Sequence, residues 1–147
     1  MKFKDKWKLL LPGIIVGLIL GFTLTFVVGV DENNPIPNYI GGAMCCFIPT
    51  LLNCIIVLKG TAKHLDRKIS FFAALKRTIP YAIVALVIGF MVVAFVVEQI
   101  LGFDTCEISV LITAIYEAIL GVLVSTISAY IALNNYEDDV KYTRKNK

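Results

Sequence analysis

The chain has 147 residues, of which 58% are hydrophobic and 17% charged, and its mean hydropathy is +0.80. Soluble domains average about 45–50% apolar and about 25% charged residues, so an ordinary soluble fold is excluded, and a disordered chain could not leave this much apolar surface in water. A net charge of +3 offers no electrostatic footprint for nucleic acid. What remains is an all-α, polytopic membrane protein, expected as one four-helix transmembrane domain over residues 1–147.

In chain order, residues 9–30, 40–58, 79–97 and 108–133 are the predicted membrane spans. A helix rises about 1.5 Å per residue and the hydrocarbon core is about 30 Å thick, so about 20 apolar residues suffice. The first three stretches carry no charge and the fourth carries only Glu117. Lys2, Lys4, Lys6 and Lys8 precede the first span; Lys59, Lys63, Arg67, Lys68, Lys76 and Arg77 lie between the second and third; Lys141, Arg144, Lys145 and Lys147 follow the fourth. These are all 14 basic residues, whereas the loops after spans one and three hold only Asp31, Glu32, Glu98, Asp104 and Glu107. Positive residues resist translocation, which predicts a plasma-membrane protein with both termini cytoplasmic and two acidic loops outside. Trp7, Tyr39, Tyr81 and Tyr130 suit interfacial anchoring. The basic start followed by an apolar run imitates a signal peptide, but the run exceeds an h-region and no small-x-small site follows it, so it is read as a retained helix.

The first acidic loop, residues 31–38, consists of turn formers and needs no function. In the basic loop, Gly60 is a candidate end for the second helix, and Phe71, Phe72 and Leu75 among basic residues predict a short interfacial helix. That segment has two readings: a lipid-sensing or partner-docking surface, or a plain positive-inside anchor attracted by anionic lipid. Pro80 falls near the start of span three, where a missing N–H costs little.

Glu117 is the ionisable residue inside a span, and such groups face protein or water rather than lipid. At 100° per residue, Thr113, Gly121 and Ser128 fall within about 40° of it, giving span four one polar face. Gly42, Cys45, Pro49 and Asn53 share a line on span two by the same arithmetic. Pro49 is expected to kink that helix and free the Cys45 carbonyl. An inward-facing Asn53–Glu117 pair would satisfy both polar groups. Two roles stay open for this intramembrane set: hydrogen-bonded glue between helices, or an ion, proton or ligand site of the kind transporters build at broken helices. Gly13, Gly17 and Gly21 form a doubled small-xxx-small stripe, packing either within the monomer or across a homo-oligomer seam.

No metal site or cofactor is expected: the four cysteines lack CxxC spacing and His64 stands alone. Cys45, Cys46 and Cys54 read as small apolar packers, with a Cys45–Cys106 bridge as an alternative. No GxGxxG, Walker A, HExxH or GxSxG is present, so no enzyme is expected.

The segments Leu11-Pro12-Gly13…Gly17…Gly21, Lys76-Arg77-Thr78 and Tyr136-Glu137-Asp138-Asp139-Val140-Lys141 resemble a family of bacterial four-helix membrane proteins often encoded beside LytTR-type transcription regulators. The resemblance implies a regulatory or partner-binding role and carries over no active site. Two functions follow from the whole reading. One is a non-catalytic regulator, immunity-type protein or accessory subunit that acts by helix association with a membrane partner or a second copy. The other is an oligomeric small transporter or channel subunit using Glu117 and Asn53.

Overall fold

A computed structural model of the protein describes residues 2–28, 36–102 and 110–145. These form four long helices, each apolar and long enough to cross a membrane: α1 (Phe3–Val28), α2 (Ile36–His64), α3 (Phe71–Met91, continued by a π-helix over Val92–Ile100) and α4 (Val110–Lys145). Successive helices run antiparallel, so α1 and α4 start and end, respectively, at the basic end of the bundle, where α2 turns into α3.

The helices overrun the apolar stretches for identifiable local reasons. Gly60 does not end α2, which continues to His64. The stop comes at Asp66, held at φ 56°, with Arg67 N–H bonding to Ala62 O at 2.7 Å and Asp66 N–H to Lys63 O at 3.2 Å. This is a Schellman turn with Asp in the left-handed position usually taken by Gly. Nor is there a separate interfacial helix. Ser70 Oγ accepts the Ala73 N–H at 3.2 Å, capping a helix that runs from Phe71 straight through Pro80. Pro12 and Pro80 strip the carbonyls of Lys8 and Lys76, which lie at the basic end among exposed residues, so water can replace the lost donor.

α2 is the most buried of the four and touches all the others, whereas α1 and α3 do not meet among the described residues. The core is therefore a triangle of α1, α2 and α4, with α3 laid on the opposite side of α2. Glycines lie at close approaches between the helices. A side chain at Gly89 would meet Gly42 O at 2.7 Å and Cys46 Sγ at 2.8 Å, and one at Gly42 would collide with a Val93 methyl. One at Gly21 would lie 2.8 Å from Ala118 Cα. In a membrane, where lipid is as apolar as leucine, this close backbone approach supplies the dispersion energy that holds helices together.

At the basic end the core is apolar, built around Leu58 and Leu133, and ion pairs rim it. Lys6 bonds Asn134 Oδ1 at 2.7 Å and pairs with Glu137 at 3.4 Å, while Lys141 holds the other Glu137 oxygen at 3.1 Å. Arg77 pairs with Asp139 at 2.9 Å and lies over the Tyr136 ring, and Asn135 donates to Tyr81 Oη at 2.7 Å. These last contacts join α3 to α4. Beyond them the two helices part around an apolar cleft of about 520 Å³, lined by Pro80, Val84, Ile88, Val124, Ser128 and Ile131. At the acidic end Tyr39 hydrogen-bonds Glu98 and packs edge-on against Phe90.

Candidate functional site: two buried polar contacts between α1, α2 and α4

The site begins with Pro49. Lacking an N–H, it leaves the Cys45 carbonyl without its helical donor in the middle of α2. Gly121 of α4 lies directly against that oxygen, so close that a Cβ there would overlap it. The hydrogen that occupies this direction points at the carbonyl, a Cα–H···O contact that partly replaces the missing bond. Pro49 and Gly121 are thus a matched pair: the freed acceptor is covered by backbone rather than opened to a ligand.

One turn before Gly121, Glu117 is only 1% exposed. Its Oε2 lies 2.7 Å from Thr25 Oγ1 of α1 and 3.5 Å from Cys45 Sγ of α2. Thr25 Oγ1 is also 3.0 Å from Gly21 O, and Cys45 Sγ is 3.6 Å from that oxygen. A hydroxyl has one hydrogen. Thr25 therefore donates to Glu117 Oε2 or to Gly21 O, and the Cys45 thiol is placed to donate to the other.

The second contact lies toward the basic end. Asn53, also 1% exposed, donates through Nδ2 to Ser125 Oγ at 2.9 Å. Its amide packs flat on Gly13, where a Cβ would come within 3.1 Å of Oδ1, and Gly17 stands 3.6 Å from Nδ2 by the same construction. Asn53 Oδ1 has no conventional donor; the glycine α-hydrogens in front of it are its remaining contacts.

The expected Asn53–Glu117 pair is therefore not formed. Each residue has its own partners, because α2 and α4 run side by side in the same direction and match Cys45 with Glu117 and Asn53 with Ser125. Thr113 is buried one turn before Glu117, but Ser128 turns away and lines the α3–α4 cleft. Gly42, placed on one line with Cys45 and Asn53, faces Val93 of α3 instead. Gly13, Gly17 and Gly21 are spent inside the monomer on Asn53, Val122, Ser125 and Ala118, which removes them as an oligomer seam. Cys45, Cys46 and Cys54 are free thiols, so Cys45 is not bridged; Cys106 lies outside the described residues.

Thr25 and Ser125 are the functional partners that sequence reasoning missed, while Cys45, already placed on the line of Pro49 and Asn53, is the thiol that meets Glu117. Thr25 extends the Gly13–Gly17–Gly21 stripe by four residues, and Ser125 extends Glu117–Gly121 in the same way. Among the described residues no three metal-ligating side chains come together. Chemically, the arrangement can hold a proton and clamp three helices. Comparison with protein families, with curated proteins and with solved structures finds no match to this chain.

Proposed function

We propose that this is a non-catalytic, multi-pass protein of the plasma membrane, with both termini cytoplasmic, that acts by association with another membrane protein or a second copy. The observation that carries the reading is the enclosure of Glu117: its carboxyl is taken up by Thr25 and Cys45, between the Gly21–Ala118 and Gly121–Cys45 backbone contacts. A transport site needs weak, sequential and accessible ligands, whereas this acid is a fixed clamp. An enzyme needs a positioned nucleophile, base or metal in a cavity, and the chemistry of the cluster offers one acid with no histidine beside it. The helices so fixed present their remaining apolar faces outward, as in Leu11, Ile15 and Phe22 of α1 and Ile83 and Val87 of α3. The resemblance to membrane proteins encoded beside LytTR-type regulators fits a regulatory role of this kind.

The test is purification in mild detergent with crosslinking, alongside flux measurements in liposomes. A defined homo- or hetero-complex and no flux, in wild type or Glu117→Gln, is the expected result. A monomer that moves an ion or solute in a Glu117-dependent way would refute the reading and favour the transporter. Orientation is tested separately: Cys106 should react with a membrane-impermeant thiol reagent on intact cells while terminal tags stay shielded, and the reverse pattern overturns it.

A further inference from the structure

We infer that the α2–α3 turn forms a binding site for the headgroup of an anionic phospholipid, with phosphatidylglycerol as the best fit. The site is an open cleft of about 550 Å³ lined by Lys59, Lys63, Asp66, Arg67, Lys68 and Ile69. Its cations are brought together by structure rather than by sequence proximity alone. Lys59 and Lys63 are one turn apart on the same face of α2, which overruns its apolar stretch by this last turn and a half. The Schellman turn at Asp66 then reverses the chain, and the Arg67 N–H bond to Ala62 O folds Arg67 and Lys68 back toward the two lysines.

Two further observations point to a ligand and to its level in the membrane. At the other corner of the basic end, Lys6, Lys141 and Arg77 are all paired, the two lysines sharing Glu137 and the arginine holding Asp139. Lys63, Arg67 and Lys68 form no ion pair among the described residues, so the cleft sets four cations against the single acid Asp66. Beside it Phe71 and Phe72 are 51% and 78% exposed, and the Lys59 ammonium lies 5.8 Å from the Phe71 ring centre. Exposed aromatic rings at a helix end, next to ammonium groups, mark the boundary between acyl chains and headgroups. A phosphodiester at that depth meets four cations, each attracted to an anionic leaflet. Asp66, the acid that lines the cleft, is an acceptor for a headgroup hydroxyl, which a glycerol group supplies and a choline does not.

The inference rests on the membrane-spanning reading, which alkaline extraction of cell membranes checks on its own. The decisive experiment is calorimetric titration of the full chain in mild detergent with dihexanoyl-phosphatidylglycerol, dihexanoyl-phosphatidylcholine and inorganic phosphate. The variants are Lys59→Gln/Lys63→Gln/Arg67→Gln and, as an equal-charge control, Lys2→Gln/Lys4→Gln/Lys8→Gln. Saturable phosphatidylglycerol binding is expected, weakened at least about tenfold by the cleft variant and unchanged by the control. Equal losses in both variants would reduce the effect to general charge attraction and overturn the site. Equal binding of phosphatidylcholine would overturn the anion requirement, and phosphate binding as tightly as the lipid would reassign the cleft to a soluble anion. Should the triple variant lose helicity, Lys63→Gln and Lys68→Gln, both at exposed positions, carry the same comparison singly.

Discussion

Replacing Gly121 by alanine puts the packing argument to its hardest test. A Cβ at this position overlaps the Cys45 carbonyl oxygen, a backbone atom that cannot rotate aside. Restoring ordinary van der Waals contact requires α4 to withdraw by roughly 1 Å. That displacement stretches the Thr25–Glu117 bond from 2.7 Å and the Asn53–Ser125 bond from 2.9 Å beyond useful range. Overpacking costs about 1–3 kcal/mol, and each interhelical hydrogen bond in a membrane is worth about 0.6–1.7 kcal/mol. Alanine returns about 1 kcal/mol of helix propensity, so the expected net destabilisation is about 1–5 kcal/mol. The comparison variant is Gly60→Ala, where the new methyl meets the Leu9 Cδ2 at 2.7 Å, the free end of a mobile side chain. It should be neutral or slightly stabilising. Unfolding in mixed micelles with increasing SDS fraction, followed by circular dichroism, measures both. If Gly121→Ala is as stable as Gly60→Ala, the backbone contact at Pro49 does not hold α4 and the clamp reasoning fails.

Three other perturbations address separate contacts. A double-mutant cycle of Thr25→Val with Glu117→Leu, each of which removes the hydrogen-bonding group, should return a coupling of about 0.6–1.7 kcal/mol in the same unfolding assay; additive effects would show that the two side chains do not interact. Gly42→Ala should destabilise through its collision with Val93, and adding Val93→Ala should restore stability; a double variant worse than the single would place the strain elsewhere. Cys45, Cys46 and Cys54 are buried, so a membrane-permeant maleimide should modify them only after SDS unfolding, and rapid labelling of the native protein would contradict the packing around α2.

The four helices were readable because nothing competes with about 20 uninterrupted apolar residues. The inward placement of Glu117 and Asn53 was readable too, since lipid cannot satisfy either group. Their partners were not, and the reason is geometric. Buried positions on α4 include Thr113, Glu117, Gly121, Ser125 and Ala129, and those on α1 include Gly13, Gly17, Gly21 and Thr25. Both lines advance four residues at a time, as when i±4 ridges pack together, while a wheel drawn at 100° per residue follows a straighter path and selects Ser128. The helix stop failed for a different reason. Gly60 has the right residue type, but helix α2 ends where the chain enters the left-handed region, and Asp66 does so without glycine's help. Gly89 stands alone in span three and forms no stripe there, yet its backbone lies against Gly42, Ala43 and Cys46, a match that shows only when the two helices are set together.

The pairing of Pro49 with Gly121 also bears on the order of assembly. Until α4 is in place, the Cys45 carbonyl of α2 has neither its own donor nor a cover, and Thr25 has no carboxyl to meet. Conversely, α4 is the least apolar of the four helices and carries an acid whose partners are Thr25 and Cys45. In chain order α4 is the last helix, so in synthesis from the amino terminus the Cys45 carbonyl and the Thr25 hydroxyl wait for Gly121 and Glu117 until the chain is nearly complete.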